Sequence, residues 1–451
     1  MAEKFILVRP FYGINIHTDA QGEFGTVLHS NDVFPDLPLI TAATILEQAE
    51  DYEVEVIEAV VGKMLPDELL SKIYISSFDT AIVKTTAASF KSDLEVAHRI
   101  KKNAPGCTVM VAGQAVRVMK DWIYDNTDVD VVIDEPLDLY IYRYVYGADA
   151  DMNDLPCPDY TLVDYRQYID DYNNVRLTLQ ASRGCLMGCR FCPYVRYYDH
   201  YEERDAAKVF EDFKTLASLG ADVIQFRDQF FTCNRNRIKE FCRMVIESGI
   251  KVRWICETKL DSLDRETVDL MKEAGLFLIC FGVESGDKKI LDAYSSHKGS
   301  FDDQKGGIEY LRSLGILTMA FYVVGFPEDT WETIETTYRY ADSLDSDIVA
   351  FNEYCDFDLS GIGSITPDVF ASFENSILTG RPTNLTREEI LYAVELFHTM
   401  YTLKREPLKR AYDYNHKLVL HNRSVASEIS KYEKDLISMS REIRVVDSKR
   451  F

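Results

Sequence analysis

Three cysteines lie close together near the middle of this 451-residue chain, with the spacing C-x3-C-x2-C. They are Cys185, Cys189 and Cys192. Three thiolates on one short loop can hold three corners of a 4Fe–4S cluster, whereas ferredoxin clusters use four cysteine ligands. The iron at the fourth corner would then be open to bind and reduce a small molecule. We therefore interpret the three cysteines as ligands of a catalytic iron–sulfur cluster.

A structural zinc site, or a set of buried thiols, is the alternative interpretation of the same cysteines. A zinc site needs a fourth ligand, which usually comes from a second C-x2-C or a Cys/His pair. The sequence contains no other C-x2-C, and the nearest histidine is His200. The spacing therefore favours the cluster.

The composition narrows the class of partner. The formal net charge is −24, which argues against nucleic acid because phosphate binding requires a basic surface. The ten cysteines form no disulfide-scaffold pattern, so we expect a reducing, cytoplasmic location. No apolar run reaches the roughly 18 residues of a membrane span, and the first residues do not resemble a signal peptide. We therefore expect a small-molecule substrate, with no nucleic acid and no membrane as partners.

The first 150 residues alternate short apolar runs with helical segments. This alternation predicts a parallel, doubly wound sheet. Ligands of such sheets bind at the carboxyl ends of the strands, which here are residues 9–12, 84–89, 113–115 and 134–136. The predicted strands are 5–8, 53–57, 80–83, 108–112 and 129–133.

A second alternating pattern begins at residue 175. Six strand-like runs separated by helical runs favour a partial TIM-type barrel, (βα)6. In barrels of this kind the loops that follow the strands build the active site, and the cysteine loop follows the first predicted strand. The predicted strands are 175–182, 222–227, 251–256, 277–283, 317–324 and 347–351.

The sequence therefore predicts an α/β chain in four parts. A Rossmann-like sheet domain spans residues 1–150, a proline-containing linker spans 151–174, and the partial barrel spans 175–360. A mostly helical segment, 361–451, is expected to cover the open side of the barrel. Its helical runs are 387–403, which follows a cap at Asn384 or Thr386, 408–420 and 424–444.

The cysteine run, with Phe191 just before its last cysteine, resembles the signature of the radical S-adenosylmethionine (SAM) enzymes. The run Gly282-Val283-Glu284-Ser285 resembles the Gly-x-Glu-Ser of the same family. In that family the open iron chelates the amino and carboxylate groups of SAM, and an electron cleaves SAM to a 5′-deoxyadenosyl radical. The resemblance implies a 4Fe–4S cluster, SAM and an external electron donor such as flavodoxin or ferredoxin.

The same resemblance implies which other residues surround the cofactor. Asp228 is expected near the SAM amino group, with helix capping as its alternative role. Glu284 and Ser285 are expected near the ribose and carboxylate of SAM, again with capping of the next helix as the alternative. Two further residues, Tyr354 and Cys355, are candidate hydrogen donors. The full set of expected cofactor-proximal residues in the barrel is Phe191, Tyr194, Asp228, Glu257, Glu284, Ser285 and Gly325.

The amino-terminal half resembles the cobalamin-binding domain that precedes many radical SAM domains. The resemblance is carried by the opening strand with Pro10 and by residues 35–39 and 109–114. It implies that cobalamin contacts Pro10, Thr85, Gly113 and Gln114. Lys84 departs from the small, neutral strand end of relatives, and Gln114 lies where relatives have proline. The alternative is a sheet that keeps the architecture without the corrin.

The leading hypothesis is a cobalamin-dependent radical SAM methyltransferase that acts on an unactivated carbon of a small biosynthetic intermediate. The second hypothesis keeps the radical chemistry without methyl transfer. It covers rearrangement, oxidation or transfer of an aminocarboxypropyl group, with cobalamin lost or repurposed. A third hypothesis belongs to another class of protein, an iron–sulfur sensor without turnover, and the intact Glu284-Ser285 pair argues against it.

Overall fold

The computed structural model describes residues 2–13, 15–17, 26–28, 33–86, 88–170, 174–192, 194, 200–295, 304–354 and 384–403. These residues form two compact units. The first unit contains the described residues up to Glu257, together with Glu273–Gly275. The second contains Thr258–Lys272, Leu276–Tyr354 and the described residues from 384 onward.

The amino-terminal region is built from seven strands and five helices within its described residues. The strands are β1 (Glu3–Arg9), β2 (Asn15–His17), β3 (Thr26–Leu28), β4 (Tyr52–Glu58), β5 (Thr80–Lys84), β6 (Thr108–Ala112) and β7 (Val131–Ile133). The helices are α1 (Leu37–Glu47), α2 (Pro66–Ile75), α3 (Phe90–Asn103), α4 (Gln114–Asn126) and α5 (Leu137–Tyr146).

Five of these strands form a parallel sheet in the order β4-β1-β5-β6-β7. The doubly wound sheet expected from the sequence is therefore confirmed. If these five strands are renumbered 1 to 5 by their order along the chain, their order across the sheet is 2-1-3-4-5. The direction of winding reverses between β1 and β5. Such a topological switch point is where sheets of this type bind their ligands.

The apolar run of β1 is continuous because both faces of the sheet are covered by helices. Ile6 and Val8 pack into a core with residues of α2, α3 and α4. Phe5 and Leu7 pack into a second core with residues of α1 and α5. Because helices bury both faces of the sheet, its carboxyl edge is the part that can present polar residues to a ligand.

The barrel region contains a second sheet of six strands in the order β15-β14-β13-β12-β11-β8. A short antiparallel pair, β9 and β10, lies outside this sheet. The strands are β8 (Arg176–Leu179), β9 (Ser182–Arg183), β10 (Glu202–Glu203), β11 (Val223–Phe226), β12 (Arg253–Thr258), β13 (Leu276–Glu284), β14 (Leu317–Val324) and β15 (Ile348–Glu353). The helices are α6 (Ala206–Ser218), α7 (Arg235–Ser248), α8 (Arg265–Glu273), α9 (Lys288–Tyr294), α10 (Lys305–Ser313), α11 (Trp331–Leu344) and α12 (Arg387–Thr402).

The last described helix, α12, begins with a capping box. The Thr386 hydroxyl accepts the N–H of Glu389, and the Glu389 carboxylate accepts the N–H of Thr386. This arrangement satisfies two backbone donors at the start of the helix and confirms the cap expected at Thr386. The helical runs expected at 408–420 and 424–444 lie outside the described residues.

Candidate cofactor site

The cysteine loop is the segment between β9 and β10. These two short strands pair antiparallel, Arg183 opposite Glu202, and so close the base of the loop. Within the loop Cys189 is 8% exposed, and the N–H of Met187 points at the Cys185 sulfur at 3.4 Å. Hydrogen bonds of this kind to cluster sulfurs are one means by which proteins set the reduction potential.

The donor set fits a 4Fe–4S cluster by its chemistry, since three thiol-bearing residues share one loop with a clamped base. Among the residues that the structure describes, no three His, Cys, Asp or Glu side chains converge on a point that could hold a single metal ion. A cubane cluster does not require such convergence, because each thiolate ligates a different iron atom.

Asp228 braces the start of the cysteine loop. Its carboxylate is fully buried just after β11 and accepts hydrogen bonds from the Ala181 N–H and the Ser182 hydroxyl. Burial raises the pKa of this carboxyl. The next residue, Gln229, accepts the N–H of Gly184 at 3.1 Å. The structure therefore gives Asp228 a role in holding the loop, and its contact with SAM stays a prediction.

Three other expected residues of the first unit are partly exposed. Phe191 and Tyr194 flank Cys192. Glu257 lies near the end of β12, and its carbonyl accepts the N–H of Phe231 at 3.0 Å. Their expected contacts with SAM stay predictions.

In the second unit Glu284 has an unusual backbone conformation. Its φ is +69°, a left-handed value that costs free energy for any residue with a side chain. The pairing register between β13 and β14 shifts at this point. A Cβ on Gly282 would lie 2.1 Å from the Glu284 Oε1 atom, so the carboxylate packs directly over this glycine. Strain of this kind clusters at ligand sites, which supports a functional role for Glu284.

Ser285, in contrast, is buried in contacts within the protein. Its hydroxyl lies 3.0 Å from the Thr337 hydroxyl and accepts the N–H of Asp287 at 3.1 Å. Asp287 in turn caps α9. The capping alternative therefore has observed contacts, and a contact of Ser285 with SAM stays a prediction.

The turn that follows β14 is organised by Asp329. Its Oδ2 atom accepts the N–H groups of Gly325 and Phe326, each at 2.9 Å. Gly325 has a φ of +95°, and a Cβ there would lie 2.7 Å from the Cδ1 atom of Ile390. Glycine is therefore required at this position both by the backbone and by the packing of α12.

Tyr354, one of the two candidate hydrogen donors, lies in an aromatic cluster. Its ring centre is 5.0 Å from that of Phe326 and 5.8 Å from that of Tyr294, and its residue is 7% exposed. The other candidate, Cys355, lies outside the described residues. A catalytic role for either stays a prediction.

At the edge of the amino-terminal sheet, Thr85 and Gly113 contact each other. The Thr85 hydroxyl donates to the Ala112 carbonyl at 3.0 Å, and a Cβ on Gly113 would lie 2.3 Å from the Thr85 carbonyl oxygen. Gly113 also has a φ of +132°. The two residues therefore join the ends of β5 and β6, while Pro10 is buried after β1 and Gln114 begins α4.

A buried charged network that the motifs did not predict lies at the same edge. Arg9 donates to Glu58 at 3.2 Å and to the Phe34 carbonyl at 2.7 Å. The Lys84 ammonium lies 3.5 Å from Asp36, and both side chains are almost fully buried. Burial raises the pKa of Glu58 to about 7. Within the described ranges, Asp36 Oδ2 and Glu58 Oε1 are buried without a hydrogen-bond partner.

A second polar network lies beside the switch point. The Asp93 carboxylate accepts the Tyr12 hydroxyl at 2.6 Å, the Ser89 hydroxyl at 2.6 Å and the Thr86 N–H at 3.1 Å. It is 1% exposed, and burial raises its pKa to about 7. Asp93 therefore fixes the loops that follow β1 and β5.

This pKa predicts a pH dependence of stability. The ordinary value is 3.8, so between about pH 4 and pH 7 the folded state keeps a proton that the unfolded chain releases, and stability falls as the pH rises through this range. We expect Asp93→Asn to flatten the decline, since asparagine does not titrate. The raised pKa of Glu58 acts in the same direction, so part of the decline of stability with pH should remain in this variant. Thermal melting between pH 4 and pH 8 measures the difference.

The exposed Arg99–Asp67 pair supplies a control for this experiment, because arginine stays charged throughout this pH range. Asp67→Asn should change the pH profile of the melting temperature far less than Asp93→Asn does. Parallel profiles for the wild type and Asp93→Asn would show that Asp93 does not titrate in this range.

The barrel region is similar in sequence to a known superfamily. Residues 179–341 match the radical SAM superfamily. The anaerobic magnesium-protoporphyrin IX monomethyl ester cyclase of Cereibacter sphaeroides is 28% identical over 259 residues, which cover 55% of this chain and 42% of the relative. The chain thus spans less than half the length of this curated relative. The match to residues 179–341 agrees with the recognition based on the cysteine motif.

Solved structures extend the likeness to the amino-terminal sheet. The radical SAM methyltransferase TsrM from Kitasatospora setae, with cobalamin and a [4Fe-4S] cluster bound, has a TM-score of 0.61 at 16% identity and covers 78% of this chain and 72% of its own. The cobalamin-dependent radical enzyme OxsB, with aqua-cobalamin and SAM bound, has a TM-score of 0.61 at 15% identity and covers 83% and 55%. The chain shares the fold of these proteins, and the cofactors named for them are the three expected from this sequence.

Within the described ranges, no helix combines the length and the apolar character required to cross a membrane.

Proposed function

We propose that this chain is a radical SAM enzyme that binds a 4Fe–4S cluster and SAM. With cobalamin, it would transfer a methyl group to an unactivated carbon of a small biosynthetic intermediate. The observation that carries the proposal is the cysteine loop, which has a braced base and lies within the matched domain. The chemistry that these cofactors supply is reductive cleavage of SAM, hydrogen removal from the substrate and delivery of a methyl group.

The chain's own residues would hold and orient these groups. Cys185, Cys189 and Cys192 would ligate the cluster, and Asp228 would fix the backbone that leads into them. Glu284, held in its strained conformation, would accept hydrogen bonds from SAM. An external flavodoxin or ferredoxin would supply the electron.

The carboxyl edge of the amino-terminal sheet is where sheets of this strand order bind their ligands. Three of the expected corrin contacts, Pro10, Thr85 and Gly113, follow β1, β5 and β6 at this edge. The fold shared with TsrM and OxsB supports the same ligand.

One observation favours the second hypothesis, in which the radical chemistry proceeds without methyl transfer. The side chain of Lys84 is 1% exposed and pairs with Asp36. This ion pair occupies a strand end that is small and neutral in the cobalamin-binding family. A charged, closed strand end at this position suits a sheet that has lost or repurposed the corrin.

The two hypotheses are separated by the metal and corrin content of the protein. The chain would be expressed with cobalamin, purified without oxygen and extracted, and both iron and corrin quantified. About four irons and about one corrin per chain would support the methyltransferase. The same iron without corrin would favour the second hypothesis, and an absence of iron would contradict both.

A further inference from the structure

The cysteine loop is attached to the amino-terminal sheet through a buried ion pair. Arg183, two residues before Cys185, donates from Nη2 to Asp138 Oδ2 at 2.6 Å and from Nη1 to Oδ1 at 3.2 Å. The side chains are 6% and 3% exposed. Two parallel hydrogen bonds between a guanidinium and a carboxylate fix both the distance and the orientation of the groups.

Both partners are oriented by further contacts. Asp138 lies in the first turn of α5, where the Leu139 N–H donates to its carboxylate at 2.9 Å. The positive end of the helix dipole favours a carboxylate at this position. Arg183 also donates to the side chain of Gln180 at 3.2 Å. The pair is therefore held from the sheet side and from the loop side.

A second arginine joins the same region to the linker. Arg204 donates from its side chain to the Leu155 carbonyl at 2.8 Å, and its backbone N–H donates to the Ala181 carbonyl at 2.9 Å. A cavity of about 20 Å³ borders Arg204, Arg183 and Asp138, which is room for about one water molecule. The ion pair therefore lies in a poorly solvated place, where the loss of one charge has a large effect.

A buried ion pair is weak evidence for stability, because the cost of desolvation offsets much of the attraction. Its geometry is more informative. The pair connects the residue before Gly184-Cys185 to the helix that follows β7, whose carboxyl end is one of the ligand-binding edges of the sheet. All of these contacts lie within the first unit.

We infer that Asp138 is a positioning residue for the cluster. Through the planar fork of Arg183 it fixes the first residues of the cysteine loop relative to the amino-terminal sheet, so that the sheet domain sets the geometry of the cluster and of the SAM bound to it. The inference rests on the proposed function for its catalytic consequence, whereas its structural part concerns the loop alone.

The test uses two substitutions in the full chain, Asp138→Asn and Arg183→Lys. Lysine keeps the charge but loses the fork. Both variants should bind about four irons, show altered EPR spectra of the reduced cluster with SAM, and form 5′-deoxyadenosine about tenfold more slowly. In the apo-protein, amide hydrogen exchange at Gly184 and Met187 should be about tenfold faster.

The double variant Arg183→Gln/Asp138→Asn separates positioning from simple stability. Asp138→Asn leaves the Arg183 charge buried without its carboxylate and should lower the melting temperature. The double variant removes both buried charges, so its melting temperature should lie closer to that of the wild type while the altered EPR spectrum and the slow cleavage persist. Asp128→Asn, in an exposed pair, is the control and should match the wild type in every measurement.

Wild-type spectra, cleavage rates and exchange rates in Asp138→Asn and Arg183→Lys would overturn the inference. So would full recovery of the cleavage rate in the double variant. A wild type without iron would contradict the proposed function instead, and exchange in the apo-protein would then decide the inference by itself.

Discussion

Replacing Cys185, Cys189 or Cys192 with alanine should abolish both cluster binding and SAM cleavage. In the proposed site each thiolate would ligate its own iron, and the loop would offer three such ligands for a cluster that already has an open corner. We expect iron to fall from about four atoms per chain to near zero, with no 5′-deoxyadenosine formed under dithionite. Anaerobic reconstitution, iron analysis and chromatography of the nucleoside measure these quantities.

The control is a cysteine outside the loop. Cys242 is fully buried in α7, and burial raises its pKa well above the ordinary value for a thiol, so it is a core residue rather than a metal ligand. Cys242→Ala should keep the iron and the cleavage activity at a modest cost in stability. A triple variant of the loop cysteines that still forms 5′-deoxyadenosine would falsify the radical SAM function proposed for this chain.

The sheets were predictable because their strands are encoded locally. The apolar run 5–8 is buried on both faces, and such a run predicts a central parallel strand whatever surrounds it. The capping box at Thr386 and Glu389 is likewise contained in four residues. Local pattern thus accounts for the order of strands and helices along most of the described chain.

One local prediction was too simple at the cysteine loop. The run 175–182 predicts one strand, but the structure divides it into β8 and β9. The reason is that Ala181 leaves the ladder. Its N–H bonds to Asp228 and its carbonyl accepts from Arg237 at 2.7 Å. Side chains that are distant in the sequence therefore decide where the strand stops.

The charged residues of the site were not predictable for the same reason. Asp138 and Arg183 are 45 residues apart, and no local period indicates that they meet. Arg9 and Glu58 meet because β1 and β4 are neighbours in register. The signal available beforehand was only that each charged residue ends a strand or begins a helix.

Gly286→Ala should destabilise the second unit strongly, because the added methyl group meets a helix backbone. A Cβ at this position would lie 2.7 Å from the Tyr340 Cβ, 2.8 Å from the Thr336 carbonyl oxygen and 2.9 Å from the Thr337 Cα. These atoms belong to α11, so relief requires the helix to move. Overpacking of this kind costs about 3 kcal/mol, or roughly 6–12 °C in the melting temperature of a unit of this size.

Two other glycines make this prediction specific. At Gly106 an added Cβ has nothing within 4 Å, so Gly106→Ala should leave the melting temperature unchanged. At Gly282 the added Cβ meets the end of the Glu284 side chain, which can rotate away. Under the proposed contact between Glu284 and SAM, Gly282→Ala should therefore weaken SAM binding with little loss of stability. Gly286→Ala should lose stability. Equal melting temperatures for all three variants would mean that α11 does not pack closely against Gly286.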